Sequence, residues 1–190
     1  DVIQLLVDVG TNAEIVLGDR TRQYAASSPT GPAFEGAQIS SGQRATAGAI
    51  EGVRIDPLTL EPRLKVIGVD VWSDDPGFAD AVATTGITGI CGSGIIDVVA
   101  EMYLAGIIDQ DGVVQGSLVE RTPRIVQDGR TFSYVLDDLG GQRVAITQND
   151  VRAIQLAKAA LRAGIDLLVE HAGNPDLVDI RLAGAFGAHI

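Results

Sequence analysis

The chain has 190 residues, 46% of them hydrophobic, which is enough apolar material for one substantial core or two small ones. Its 25 acidic and 14 basic residues give a net charge of -11, which argues against nucleic acid as a partner, because phosphate-backbone binding needs a positive surface. No apolar run approaches the roughly 20 residues that span a bilayer, so we expect no membrane insertion.

The chain contains a single cysteine, Cys91. One cysteine excludes an intrachain disulfide and any four-cysteine iron–sulfur cluster built by this chain alone. We therefore expect a cytoplasmic protein. The chain opens on Asp1 directly before a predicted strand and stops within the motif LAGAFGAHI, so we also expect it to be part of a longer protein.

The first predicted elements are a strand, a tight turn and a second strand, read from VIQLLVDVGTNAEIVL. Gly10 permits a backbone geometry that a side chain would block, so the N–H groups of the turn could converge on phosphate oxygens. Thr11 and Asn12 add neutral donors. Asp8, at the end of the first strand, is well placed to hold Mg²⁺ through water. The alternative is an ordinary hairpin whose Asp and Asn only satisfy the turn.

Further strands are predicted in the first half of the chain. Residues 22–27 predict a third strand, so that residues 2–27 form a three-stranded meander. The glycine-interrupted segment 33–52 favours short turns over one helix. A hairpin is predicted from strands 50–56 and 63–71, and WSDDPGF after it reads as a surface loop.

Residues 85–106 predict a glycine-rich loop that leads into a helix, which begins near Ser93 and ends at Gly106. Gly92 and Ser93 leave backbone donors open at the helix N-terminus, which is a ready anion site. The alternative is that Ser93 caps the helix while the glycines allow it to pack on a sheet. The stretch matches neither the Walker pattern nor the dinucleotide fingerprint.

A β-rich extension and the longest helix are predicted next. Residues 107–146 contain three predicted strands, and Thr147 begins a helix that runs to Ala172. Asp150 stands at capping-box spacing from Thr147. The helix has one broad apolar face and one solvated face, typical of a helix packed on a sheet.

The last predicted strand, residues 177–182, leads into a second glycine turn. Gly184, Ala185 and Gly187 would let a flat ring or a phosphate lie against bare backbone. The alternative is a tight turn from a strand into a helix.

Four stretches of the chain, in the same order, resemble the C-terminal domain of the reductive activators of corrinoid proteins: VDVGTNAEIVL, GPAFEGAQISSGQRATAGAIE, GICGSGIIDVVAEMYLAGIID, and ITQNDVRAIQLAKAALRAGIDLL followed by DIRLAGAFG. That family belongs to the actin, sugar-kinase and Hsp70-like ATPases, abbreviated ASKHA. The resemblance covers nearly the whole chain. It implies an α/β fold, an RNase-H-like subdomain of the actin-like ATPases with a mixed sheet, a three-stranded antiparallel meander, flanking helices and β-rich insertions.

The resemblance also implies how the lobe is divided. We expect a single lobe over residues 1–190, with a core of residues 1–27, 87–106 and 143–190. Residues 28–86 and 107–142 would be insertions.

What the resemblance implies about function concerns a longer protein. In the family, an N-terminal [2Fe–2S] domain delivers an electron, and an ATPase region uses ATP to drive it uphill to a Co(II) corrinoid on a partner protein. The corrinoid returns to Co(I). This chain would be the second ATPase lobe, with the corrinoid protein and the remaining domains of the parent chain as its partners. We expect the isolated lobe not to hydrolyse ATP.

The resemblance assigns roles to individual residues. Asp8 would position Mg²⁺, and the three turn residues after Val9 would hold the phosphates of ATP. The second glycine turn would lie against the adenosine. The start of the helix predicted from Ser93 would supply only backbone donors. In sequence order, these candidates are Asp8, Gly10, Thr11, Asn12, Gly92, Ser93, Gly184, Ala185 and Gly187. No catalytic residue is assigned.

Two other functions remain open at this point. The lobe could be a docking module for the corrinoid protein without its own catalysis. It could also be a small-molecule kinase of the same superfamily, for which Asp97 and Asp109 are the nearby carboxylates, although both favour structural roles. The sequence leaves a homodimer open.

Overall fold

A computed structural model describes residues 2–138 and 142–184 of the chain. In chain order the elements are β1 (Gln4–Val9), β2 (Ala13–Gly18), β3 (Gln23–Ser28), β4 (Ala49–Ile55), β5 (Pro62–Val66), α1 (Phe78–Val82), β6 (Gly89–Ile90), α2 (Gly92–Leu104), β7 (Ile125–Asp128), β8 (Thr131–Asp137), β9 (Val144–Ile146), α3 (Gln148–His171) and β10 (Asp179–Ala183). They form two compact units, residues 1–34 with 154–190, and residues 35–153.

The first unit is built on a four-stranded sheet with the order β10-β1-β2-β3. The strands β1, β2 and β3 pair antiparallel as a meander, and β10 pairs parallel to β1. Within the described residues this is a mixed sheet, and the predicted meander and final strand are confirmed. The meander follows from two short turns between runs of strand-forming residues.

The core of the first unit lies between this sheet and α3. Alternate residues of β1 and β2 point to the same face and are buried, namely Leu5, Val7, Ile15 and Leu17. Leu168 of α3 packs against them. Each such side chain contributes about 2 kcal/mol relative to its exposed state. β1 is an inner strand of this sheet, paired on both sides, and it ends at Val9.

In the second unit, α2 packs directly on β4, the central strand of the sheet β5-β4-β6. A Cβ atom at Gly94 would overlap the carbonyl oxygen of Ile50, so only glycine allows this approach. Further along α2, Glu101 Oε2 accepts the backbone N–H of Ile55 at 2.8 Å. β6 has only two residues and pairs with Ala49 and Ile50 at the start of β4. The Glu101 carboxylate therefore provides the acceptor for the Ile55 N–H that the short strand does not provide.

A third sheet, β7-β8-β9, contacts the turn between β4 and β5. The buried hydroxyl of Tyr134 donates to the carbonyl of Leu60 at 2.8 Å. Burial raises the pKa of Tyr134 above its ordinary value, so this hydroxyl remains a donor at alkaline as well as neutral pH. Arg124 pairs with Glu61 at 2.8 Å on the same turn. These contacts join the predicted β-rich extension to the β4–β5 hairpin.

Residues 87–106, which the resemblance assigns to the core of the lobe, lie in the second unit together with β4. The reason is that β6 pairs with β4, and α2 follows β6 onto the same strand. The structure also contains a five-residue helix, α1, which begins at Phe78, the last residue of the predicted surface loop.

The helices α2 and α3 have the predicted positions. Gly106 follows the end of α2 with a φ of 71°, as expected for a residue after a helix C-terminus. The capping box of α3 is confirmed: the Thr147 N–H donates to Asp150 Oδ2 at 2.8 Å, and the Asp150 N–H donates to Thr147 Oγ1 at 3.1 Å. Within residues 2–138 and 142–184, no helix combines the length and apolar character that crossing a membrane requires.

Candidate functional site

The parallel pairing of β1 with β10 brings two predicted site residues together. In its register, Asp8 lies opposite Ala183, so Asp8 and Gly184 end neighbouring strands at the same edge of the sheet. They are 176 positions apart in sequence. In open α/β sheets, ligands bind at the carboxyl ends of parallel strands. This edge of the first unit is therefore the candidate site.

Asp8 and Gly184 are in direct proximity. Gly184 has a φ of 81°, and a Cβ atom at this position would overlap Asp8 Oδ1. The carboxylate thus occupies the space that a side chain at position 184 would take. Asp8 is also exposed to solvent. A water-accessible carboxylate suits Mg²⁺, which keeps several of its waters and binds few protein ligands, so the residues present fit such an ion.

The turn between β1 and β2 has a defined hydrogen-bond pattern. The Gly10 N–H donates to the Asn12 carbonyl at 3.2 Å, which closes the turn. The Thr30 hydroxyl bonds to the carbonyl oxygens of Gly10 at 2.7 Å and of Thr11 at 3.1 Å. The N–H of Gly10 therefore bonds within the turn itself, while the side chains of Thr11 and Asn12 are exposed.

The remaining predicted site residues are Gly92, Ser93, Ala185 and Gly187. Gly92 and Ser93 begin α2 in the second unit, where Cys91 is the N-cap residue and its Sγ lies 3.4 Å from Ser93 Oγ. Gly92 is buried. Ala185 and Gly187 lie outside the described residues.

Sequence reasoning missed the two residues after β3 that contact the turn. Thr30 is 5% exposed, and the Gly31 N–H donates to the Thr11 carbonyl at 2.9 Å. The segment was predicted only as a loop with glycine and proline. The local sequence carried no signal, because a Thr in a loop is usually a surface residue.

The carboxylates considered for a kinase have structural partners. Asp97 Oδ2 lies 2.9 Å from Arg54 Nη1 and accepts the Val53 N–H at 3.3 Å. Asp109 Oδ1 accepts two backbone N–H groups of its own loop, each at 2.9 Å. Both carboxylates therefore hold local structure in the second unit.

A meander with a parallel fourth strand, a long helix on one face and Gly184 beside Asp8 at the shared strand ends are the features of an RNase-H-like lobe of the ASKHA class. The family model for the C-terminal domain of RACo, the ASKHA domain, matches residues 2–190. The chain belongs to this family.

Two curated relatives and one solved structure are similar to the chain. "Corrinoid activation enzyme RamQ" from Eubacterium limosum is 37% identical over 199 aligned positions, which cover 99% of this chain and 31% of the relative. "[Co(II) methylated amine-specific corrinoid protein] reductase" from Methanosarcina barkeri is 30% identical over 195 positions, covering 98% of this chain and 32% of that protein.

The solved structure of a "Reductive activator for corrinoid,iron-sulfur protein" superposes with a TM-score of 0.80 at 32% identity. The match covers 98% of this chain and 28% of that one. The chain therefore spans about a third of the length of the proteins it resembles.

Proposed function

We propose that the chain is the ATPase-type lobe of an ATP-dependent reductive activator. The parent protein would return a Co(II) corrinoid on a partner protein to Co(I), with electrons from a [2Fe–2S] domain elsewhere in the parent chain. The observation that carries the proposal is the sheet edge where the Asp8 carboxylate lies against Gly184, in a chain of the ASKHA domain family. The single cysteine, which is free and buried, suits the reducing cytoplasm, where we place the parent protein.

In this proposal each residue of the edge has a defined task. Asp8 holds Mg²⁺ through water, and the ion would neutralise phosphate charge on the nucleotide. The backbone of Thr11 and Asn12 receives phosphate oxygens, and Gly10 gives the turn its shape. Gly184, with Ala185 and Gly187 after it, leaves bare backbone for the adenosine. Gly92 and Ser93 remain a weaker proposal, as donors at the start of α2.

ATP is needed because the electron transfer is uphill. For transfer of one electron, each difference of about 59 mV between the reduction potentials of donor and acceptor lowers the equilibrium constant of the transfer tenfold. A nucleotide can close such a gap only if its binding and hydrolysis favour different conformations of the protein. The proposed task of this lobe is to bind the nucleotide that distinguishes those conformations.

The proposal is tested with the intact parent protein, purified anaerobically with its iron–sulfur domain. A Co(II) corrinoid protein is added with or without Mg·ATP, and the cobalt absorption is followed. We expect the Co(I) spectrum only with Mg·ATP. If reduction is the same without nucleotide while the two proteins still bind, the lobe is a docking module that has kept an ATPase fold.

A second prediction concerns Gly184. Replacing Gly184 with Ala places a methyl group where the Asp8 carboxylate lies and adds strain, because the residue has a positive φ. We expect the affinity of the parent protein for Mg·ATP to fall about 10-fold, as when a group that orients a metal ligand is lost. Isothermal titration calorimetry measures this change.

The control for Gly184 is Gly173→Ala. Gly173 also has a positive φ, of 87°, but a Cβ there meets nothing within 4 Å. The Gly173→Ala variant therefore shows how much backbone strain alone changes the affinity for Mg·ATP. Equal affinities for the two variants would mean that displacement of Asp8 does not affect binding.

A further inference from the structure

The Thr30 hydroxyl fixes the orientation of two peptide groups in the β1–β2 turn. It bonds to the carbonyl oxygens of both Gly10 and Thr11, at 2.7 and 3.1 Å, and the Gly31 N–H adds a bond of 2.9 Å to the second carbonyl. Thr30 itself is 5% exposed. A buried hydroxyl with two backbone acceptors has little freedom to turn away.

These bonds have a consequence for the donors of the turn. A trans peptide is planar, and its N–H points opposite to its C=O. The carbonyl of Gly10 shares a peptide with the N–H of Thr11, and the carbonyl of Thr11 shares one with the N–H of Asn12. Since both carbonyls are directed at Thr30, both N–H groups are directed away from it. These are the two amides to which the proposed function assigns the phosphate oxygens.

The segment that carries Thr30 is also attached to α3. The Ser28 hydroxyl donates to the Ala160 carbonyl at 2.7 Å, and the Thr30 N–H donates to the Ser28 carbonyl at 2.9 Å. A Cβ atom at Gly164 would lie 2.9 Å from Ser28 Cβ, so the missing side chain at 164 makes room for this contact. Ser28 and Thr30 thus connect the helix with the turn inside the first unit.

We infer that Thr30 is a positioning residue for the nucleotide phosphates, and that Ser28 anchors it to α3. This inference rests on the proposed function. Thr30 touches no phosphate itself. It acts by holding the Thr11 and Asn12 amides in the orientation that receives phosphate oxygens, so its loss should weaken binding of the phosphates and leave binding of the nucleoside unchanged.

The test uses Thr30→Val and Thr30→Ser in the intact parent protein. Valine keeps the size of the side chain and removes the hydroxyl, whereas serine keeps the hydroxyl. Affinity for Mg·ATP is measured by isothermal titration calorimetry and affinity for adenosine by ligand-observed NMR. We expect Thr30→Val to bind Mg·ATP about 10-fold more weakly with unchanged adenosine affinity, and Thr30→Ser to stay within about 2-fold of the parent protein for both ligands.

Two further variants complete the test. Ser28→Ala should weaken Mg·ATP binding about 3-fold, because the anchor to α3 is lost while the Thr30 hydroxyl remains. Thr21→Val is the control, since Thr21 is exposed and its hydroxyl bonds to Asp19 in the turn between β2 and β3. We expect this control to bind both ligands as the parent protein does.

Three results would overturn the inference. Unchanged Mg·ATP affinity in Thr30→Val would mean that the hydroxyl only stabilises the turn. An equal loss of ATP and adenosine affinity would indicate a general defect in folding, which the thermal unfolding temperature of the same variant would show. Absence of nucleotide binding by the unmodified parent protein would remove the proposed function itself, and with it this inference.

Discussion

Replacing Asp8 with Asn in the intact parent protein should lower the rate of ATP-dependent Co(II) reduction about 100-fold. Asparagine fills the same space beside Gly184 but carries no charge, so it is a much poorer partner for a hydrated Mg²⁺. A factor of 100 corresponds to about 2.7 kcal/mol, within the range that a bound metal ion contributes by stabilising charge. The rate of appearance of the Co(I) spectrum measures the effect.

The matched control is Asp19→Asn. Asp19 is a partly exposed carboxylate at the opposite end of the sheet, in the turn that leads from β2 to β3, where Oδ1 accepts the N–H groups of Thr21 and Arg22. Asparagine can accept the same bonds through its amide oxygen. We expect the control to reduce cobalt at the rate of the parent protein. A fast Asp8→Asn variant would mean that the Mg²⁺ site lies elsewhere.

The sequence predicted the meander and α3 well because their signals are local. The meander is marked by turn residues between runs of strand-forming residues, and α3 is marked by Thr147 and Asp150 at its start. The end of β1 at Asp8 could be read directly from the change from apolar to turn residues. Such features depend on a few neighbours in the chain, and these are what periodicity and capping describe.

The placement of α2 could not be predicted in the same way. Its periodicity shows a helix, but not which strand it packs on. That is decided by distant contacts, such as Gly94 against the carbonyl of Ile50 and Glu101 on the Ile55 N–H. Since β6 is only two residues long, the sequence offered little to assign it to one sheet or another.

The candidate site shows the same division between local and distant information. Resemblance to the family named Asp8 and Gly184, but their proximity depends on the parallel register of β1 and β10. The role of Thr30 follows from hydrogen bonds across 19 and 20 positions of the chain. No motif marks such a residue, because its function depends on what the fold places beside it.

Replacing Asp150 with Ala should have the largest effect on stability that we expect in the second unit. Its carboxylate is 2% exposed and accepts the Ser40 N–H at 2.8 Å, the Ser40 hydroxyl at 3.0 Å and the Thr147 N–H at 2.8 Å. Alanine removes the acceptor for all three donors and ends the capping box. We expect a local loss of about 3 kcal/mol, since buried donors without partners and a lost cap both contribute.

Hydrogen exchange followed by mass spectrometry measures the Asp150→Ala effect in the intact parent protein, because exchange reports local opening. Peptides that contain Ser40 and the first turn of α3 should exchange about 100-fold faster, in line with the expected free energy. The control is Asp166→Ala, which removes an exposed carboxylate of the same helix that pairs with Arg162 at 2.8 Å. Such a surface pair contributes about 0.5 kcal/mol, so exchange near residues 40 and 147 should stay unchanged. If Asp150→Ala exchanged no faster than this control, the buried carboxylate would not be what joins the segment around Ser40 to the start of α3.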